Sequence, residues 1–315
     1  MSSHVTVLGA GIIGLTCAIR LQEHGHTVTV VTAEEPRRTV SSLAAAVWYP
    51  TRTDADPRVL SWARRTFDEL TSQAARGVPG VVPRPTRMIL RRPHTTPWWA
   101  PAVPDFAEGP GEWRFTVPSV EMPVYLQCLL DRFGAAGGRL ARHRVERLSD
   151  VPRLVAGTSV VVNATGLAAR DLADDPAVHP ARGQIVGVAN PGLVTSVRDE
   201  EHPAGMTYIH PRSRDVVLGG TFQPGEWDTT VDPATTAAIL ARCAELVPEL
   251  AGAPVVWQAA GLRPARHGGA RVEAGLGLPG GVGLVHAYGH GGAGVTLSWG
   301  CADEVVVLAG GVAGA

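Results

Sequence analysis

No lysine occurs among the 315 residues, so every cationic side chain is arginine or histidine. That absence removes Schiff-base catalysis, attachment of pyridoxal phosphate and a phosphate-loop lysine in one step. Cysteine is scarce as well. Cys17, Cys128, Cys243 and Cys301 are widely scattered, and no CxxC pair or Cys/His cluster occurs. Neither a disulfide framework nor a metal site is therefore expected, and a reducing cytoplasm fits best. Neither sign of charge is in excess: the net charge is -1. Nothing pulls such a chain toward nucleic acid or an anionic membrane. Apolar runs are short, Val305 to Leu308 being typical, and fall far below a bilayer span. The opening Met1-Ser2-Ser3-His4-Val5 lacks a basic flank and runs straight into a strand, so it does not read as a signal peptide.

What is present is apolar residues at 45%, enough for two lobes at this length. His4 to Leu8 reads as a buried strand, Ile12 to His24 as a helix closed by Gly25, and Thr27 to Thr32 as a second strand. Asp56 caps a helix that starts at Pro57 and runs to about Gly77. Gly80 to Pro118 reads as irregular, with strand candidates at Arg87 to Arg91 and Trp113 to Thr116. Trp98, Trp99, Phe106 and Trp113 in this stretch need burial. A helix over Pro123 to Phe133 follows, then strands at Arg139 to Val145, Ser159 to Asn163 and Gln184 to Val188. Met206 to Phe222 reads as a hairpin turning at Arg212 to Asp215. Asp232-Pro233 opens a helix reaching Leu246. Strands at Val255 to Ala260 and Val282 to His286 precede a terminal helix over Gly292 to Ala309.

Gly9-x-Gly11-x-x-Gly14 lies between the first strand and the first helix. Gly9 permits the tight turn, Gly11 lets backbone approach a pyrophosphate, and Gly14 lets helix and strand pack closely. The helix N-terminus adds free N–H groups and a positive dipole end. Glu34 and Glu35 stand where a ribose-binding acid belongs, and Arg37 and Arg38 would meet a 2′-phosphate or be solvated. This motif indicates a dinucleotide and leaves NAD, NADP and FAD open.

A second glycine-rich helix entry, His286-Ala287-Tyr288-Gly289-His290-Gly291-Gly292-Ala293-Gly294-Val295-Thr296, lies near the other end. A nicotinamide enzyme has no need of it, whereas a second helix N-terminus can cap the polar edge of a flavin. Together with Ala44 to Pro50 (AAAVWYP), Val161 to Gly166 (VVNATG), Arg182-Gly183-Gln184, Gly261 to Arg266 (GLRPAR) and Ser298 to Ala302 (SWGCA), these blocks resemble the D-amino-acid oxidase family over nearly the whole chain.

The resemblance implies an α/β fold. A doubly wound, Rossmann-like FAD-binding domain would be assembled from residues 1–50, 138–190 and 264–315. A mixed α+β substrate domain with an antiparallel sheet would comprise 51–137 and 191–263. It places Tyr208 and Arg263 at the substrate carboxylate and the Gly292 carbonyl at the substrate amine. FAD, held non-covalently, would contact Gly9, Ala10, Gly11, Ile12, Ile13 and Gly14, then Glu34, Ser41, Ala45, Ala46, Val47, Val145 and Thr165. Further contacts would come from Arg263, Gly291, Gly292, Gly294, Val295 and Thr296. The implied reaction is oxidative deamination of D-amino acids by hydride transfer to flavin N5. Dioxygen is the second substrate, and the products are a 2-oxo acid, ammonia and hydrogen peroxide. A homodimer is left open.

Three departures from the family stand out. A tyrosine that vertebrate members carry four residues before Tyr208 is Ala204 here. An aromatic position in the terminal glycine block is Ala293, and the acid after the second strand is displaced. Ala204 suggests an open pocket that tolerates bulky apolar side chains. Glu200 and Glu201 would be either solvated or selective for basic ones.

Arg263 stands in an otherwise uncharged stretch as a planar fork for a carboxylate, while Arg266 reads as structural. His286 and His290 lie in a loop and read as packing residues rather than bases or ligands. Two readings compete with the oxidase: a glycine- or sarcosine-type amine oxidase, and a flavin dehydrogenase using an acceptor other than oxygen. A colourless NADP-binding sensor is the non-enzymatic alternative. Purified protein is expected to be yellow, with the flavin released intact on denaturation; pigment that stays with the denatured polypeptide would contradict non-covalent binding.

Overall fold

The computed structural model describes residues 3–50, 53 and 56–313. Met1 and Ser2 of the opening pentapeptide, and the segment bounds placed at 1, 51 and 315, lie outside the described residues. The short β-branched runs become strands. The chain passes through β1 (His4–Leu8), α1 (Ile12–Glu23), β2 (Thr27–Thr32), α2 (Pro57–Ala75), β3 (Val81–Ile89), β4 (Ala107–Gly109) and β5 (Glu112–Val120). Next come α3 (Met122–Ala135), β6 (Arg139–Arg142), α4 (Val151–Leu154), β7 (Thr158–Asn163), α5 (Ala169–Leu172), β8 (Val178–Ala189), β9 (Ser196–Asp199) and β10 (Thr207–Pro211). It ends with β11 (Asp215–Gly219), β12 (Gln223–Pro224), α6 (Pro233–Leu246), β13 (Val255–Arg266), β14 (Arg271–Ala274), β15 (Gly283–Tyr288) and α7 (Gly294–Val312).

Two sheets result. The first has six strands in the order β14-β15-β7-β1-β2-β6, all parallel except β14. Val5, Val7, Val160 and Val162 are wholly buried, as central parallel strands covered by helices must be. The second has nine strands, ordered β12-β8-β11-β10-β9-β3-β5-β4 with β13 also on β8, and only β3–β9 is parallel. This is the expected α/β class with a doubly wound layer and a largely antiparallel partner.

β8 and residues 264–266 of β13 lie in the second sheet. α2 packs against α7 and α3 against α1. The alternation in a strand shows which face is buried, not which sheet supplies its partners.

Residues 80–118 are also more regular than expected. β3 and β5 pair over nine positions each, from Val81↔Val120 to Ile89↔Glu112. Pro83, Pro85 and Pro118 disguise them, because proline gives no ladder donor and normally argues against a strand. Here Pro83 faces Pro118 across the pair. Trp99 and Trp113 are buried, and Trp99 makes edge-on contacts with Tyr49, Phe106 and Phe115.

The stretch Gly291–Val312 is long and apolar enough to cross a bilayer, although no single apolar run in it is long. It is wedged against α1, α2, β14 and β15, and burial on several sides accounts for its composition. Its close approach to α2 depends on Gly300, where a Cβ would lie 2.3 Å from the Trp62 Cα and 2.4 Å from its carbonyl oxygen. Backbone cannot yield as a side-chain tip can, so Gly300→Ala is expected to destabilise the protein by about 1–3 kcal/mol, read by urea unfolding. An unchanged midpoint would mean that the helices part without cost.

Candidate active site

A cavity of about 650 Å³ takes in both glycine-rich segments and passes from the first sheet to the second. α1 begins at Ile12 with Gly11 as its N-cap, with no capping side chain and no acid in its first turn. The Ile12 N–H donates to the Ser41 hydroxyl at 3.0 Å. Gly9 has φ +104°, and a Cβ on it would sit 2.5 Å from the Ala164 carbonyl oxygen. A Cβ on Gly14 would sit 1.9 Å from the Gly9 oxygen, so these two glycines bring backbone against backbone. Gly11 lies on the cavity wall, where a Cβ would meet only the Ser41 hydroxyl, at 3.0 Å. A backbone cradle without side chains at a helix N-terminus suits a pyrophosphate.

Beyond β2 the wall carries Glu34, Arg38, Arg144 and Val145. Glu34 lies 3.4 Å from Arg144. Glu35 is turned to Arg37 at 2.6 Å, and neither lines the cavity. The acid available to a ribose is therefore Glu34. Thr165 also lines the wall; its hydroxyl donates to Asn163 Oδ1 at 2.7 Å.

The opposite end receives α7. Its N-cap is Ala293, again with no capping side chain and no acid in the first turn. Thr296 ties this end to Tyr49: its hydroxyl accepts from the Tyr49 N–H at 3.1 Å and donates to the Tyr49 carbonyl at 3.0 Å. The Ala44 to Val47 segment lies beside it. Ala46 has φ +53° and is held by the Val120 N–H on its carbonyl at 2.8 Å. A non-glycine residue in that region stores strain of about 1–3 kcal/mol, a common feature of ligand sites.

Burial lowers His290 to about 4. Burial, with Arg271 nearby, lowers His286 to about 4. Both rings are neutral near pH 7, in keeping with their reading as packing residues. No group of three metal-binding side chains occurs among the described residues.

The part of the cavity lined by Arg263 and Tyr208 is built on the second sheet. Arg263 on β13 lies across β8 at Gly183, where a Cβ would come within 2.2 Å of its guanidinium. Its Nη1 donates to the Thr221 carbonyl at 3.1 Å and the Ala181 carbonyl at 3.4 Å. Among the described residues no carboxylate pairs with it, so its charge is available to a ligand. Tyr208 is seated in the same way on Gly219, where a Cβ would lie 2.1 Å from its ring. Arg266 is the structural arginine, 2.8 Å from Asp175. Burial would raise the Asp175 carboxyl, but hydrogen bonds from Arg266 and Tyr288 hold it below the usual range.

Every residue assigned from the sequence to cofactor or substrate lines this one cavity except Gly14, whose part is helix packing. Ala204 is not on the wall, nor are Glu200 and Glu201; of that segment only Met206 is. Glu201 is drawn away by Arg92 at 2.5 Å and His94 at 3.1 Å.

Sequence reading missed Arg198. It is buried on the wall, 4.2 Å over the Tyr49 ring, and bonded to Glu200 at 2.8 Å and His210 at 3.3 Å. Burial, together with the Arg198 charge, keeps His210 well below the usual imidazole range. Nothing in Ser196 to Asp199 marks a strand, which is why Arg198 was overlooked. Gly183 was noted only as part of a motif; its use as the seat of Arg263 needs the β8–β13 register.

Comparison with known proteins agrees with this geometry. The family model described as "FAD dependent oxidoreductase" matches residues 4–308. A D-amino-acid oxidase from Rubrobacter xylanophilus is 50% identical, over 98% of this chain and 96% of its own length. One from Streptomyces coelicolor is 42% identical, over 97% and 96%. A human D-aspartate oxidase is 32% identical, over 98% and 94%. Among solved structures, glycine oxidase from Bacillus cereus superposes with a TM-score of 0.78 at 20% identity, covering 98% of this chain and 95% of that one, a likeness of fold. With the cradle, the two bare helix ends and these relatives in agreement, the chain belongs to the D-amino-acid oxidase family of FAD-dependent oxidoreductases, and FAD is its cofactor.

Proposed function

We propose that the protein oxidises neutral D-amino acids to 2-oxo acids, with dioxygen as electron acceptor and hydrogen peroxide as co-product. The observation that carries this reading is Arg263: a guanidinium without a carboxylate partner, seated on Gly183, in the cavity that holds the two bare helix ends. The names of the relatives at 50% and 42% identity support it. The four cysteines are free thiols, which fits a cytoplasmic setting.

FAD supplies the two-electron acceptor when bound. The residues of the chain bind and orient. Arg263 offers two parallel N–H donors to the substrate carboxylate, and the Tyr208 hydroxyl adds a third contact. The Gly292 carbonyl accepts from the amine. A carboxylate fork and an amine acceptor, fixed relative to one cofactor face, admit a single enantiomer in reacting alignment. His286 and His290 are buried, and burial lowers both to about 4, which makes them weak proton acceptors. A substrate that binds with its amine already neutral donates to the Gly292 carbonyl and needs no side-chain proton acceptor.

Arg198 lines the wall with its guanidinium 5.9 Å from the Tyr208 ring, whereas Glu200 and Glu201 do not line it. With those two carboxylates off the wall, selectivity for basic substrates is not part of this proposal. A glycine-type oxidase remains the competing reading, with the Bacillus cereus enzyme as a neighbour in fold.

Arg263→Ala is expected to lower kcat/KM by about a hundredfold, roughly 3 kcal/mol, while flavin content stays normal. Gly183→Ala should act in the same direction, because its Cβ would displace the guanidinium it now lies 2.2 Å from. Wild-type turnover in both would remove Arg263 from the site. In a steady-state peroxide assay, D-Ala, D-Val, D-Met or D-Phe should surpass D-Arg, glycine and every L-amino acid. Glycine outperforming all neutral D-amino acids would favour the competing reading. Substrate-dependent bleaching of the flavin without peroxide would identify a dehydrogenase.

A further inference from the structure

The Arg182-Gly183-Gln184 motif is only partly explained by the seat for Arg263. Gly183 faces the cavity. Arg182 and Gln184 therefore point to the other face of β8, and both are buried, at 5% and 0% exposure. A buried arginine is costly unless its donors are met. Nearly all of its partners lie in the segment from Gln223 to Asp232. Arg182 Nε donates to the Asp228 carbonyl at 2.6 Å, Nη2 to the Thr230 carbonyl at 2.5 Å, and Nη1 to Gln223 Oε1 at 2.6 Å. Gln184 takes the far end: Nε2 donates to the Asp232 carbonyl at 2.8 Å, and Oε1 accepts from the Asp232 N–H at 3.0 Å.

That segment has no core of its own. Residues 223–230 are all exposed, Trp227 among them at 54%. Such a stretch would ordinarily move freely, yet its two central carbonyls are fixed by one guanidinium. The residue between those carbonyls is Thr229, and Thr229 lines the cavity. The segment also leaves the sheet at the substrate end. The Thr221 carbonyl accepts from Arg263, and the Phe222 ring lies 5.9 Å from the same guanidinium.

We infer that residues 223–232 form a fixed wall of the substrate mouth, that Thr229 limits which side chains enter, and that Arg182 is the positioning residue that holds the wall in place. This rests on the oxidase reading above. It assigns side-chain selectivity to the Thr229 wall instead of to the segment before Tyr208, of which only Met206 reaches the cavity. Arginine suits the task because its planar fork meets both carbonyls and Gln223 in fixed directions, whereas a lysine ammonium has no such preset geometry.

The test uses the FAD-loaded protein and Thr229→Trp, Thr229→Gly, Arg182→Met and Arg182→Lys, with two readouts. The first is the ratio of kcat/KM for D-Phe to that for D-Ala. Thr229→Trp should lower this ratio about tenfold, and Thr229→Gly should raise it. The second is the rate of chymotrypsin cleavage after Trp227, which needs no activity. Arg182→Met and Arg182→Lys should both speed that cleavage at least about tenfold, since the carbonyls at 228 and 230 lose their common donor. An unchanged ratio in both Thr229 variants overturns the assignment of selectivity. Unchanged cleavage in the Arg182 variants overturns the positioning role. Wild-type protein inert toward every D-amino acid would instead refute the oxidase reading, and the cleavage experiment would still decide the role of Arg182.

Discussion

The N-caps of α1 and α7 bring no capping side chain, and neither first turn carries an acid; of the N–H groups opening α1, that of Ile12 meets the Ser41 hydroxyl. Helix starts normally recruit serine, threonine or aspartate for that purpose, as α2 does with Asp56 and α6 with Asp232. Among the longer helices α3 also starts without a side-chain cap, but α1 and α7 are the pair that open on one cavity, and much of the architecture serves their convergence. Gly14 lowers α1 onto the β1 turn, Gly300 lets α7 lie against α2, and Thr296 locks the start of α7 to Tyr49. An elongated anionic cofactor fits between ends that carry partial positive charge and unused donors.

The second sheet repeats one device. Where a cavity side chain lies flat on the strands, the neighbouring strand has glycine: Gly183 under Arg263, and Gly219 under Tyr208. The same arrangement places Trp257 on Gly187. A flat-lying group cannot swing through its other rotamers, so its orientation is decided before any ligand arrives. Arg198 achieves comparable fixity by lying on Tyr49 and bonding Glu200 and His210. The pocket is thus shaped by backbone as much as by side chains, which accords with a reaction whose electron chemistry resides in the cofactor.

Much of this was legible beforehand. Both glycine-rich helix entries announce themselves by composition, and α2 and α6 by their Asp-Pro starts, because capping and backbone approach are local constraints. The residues that line the cavity were marked by recurring motifs. What escaped depends on pairing between distant strands. Nothing near Ser196 to Asp199 shows that Arg198 will stand beside Tyr208, a consequence of the β9–β10 register. The use of Gly183 requires β13, some eighty residues further on, to run alongside β8. Prolines concealed β3 and β5, since the rule that strands avoid them yields where a carbonyl alone suffices.

The order of the strands has a temporal meaning. β1 is made first, but its parallel neighbour β7 begins at Thr158, and β15, on the far side of β7, begins only at Gly283. The last helix then supplies the second bare end. A growing polypeptide therefore leaves the ribosome with an apolar first strand that has β2 beside it and no partner on its other edge for more than a hundred residues. Vectorial synthesis cannot complete the first sheet before β15 and α7 have been made, since β15 pairs with β7 and α7 packs on both α1 and α2. Fragments that stop short of Gly291 lack the second helix entry to the cavity.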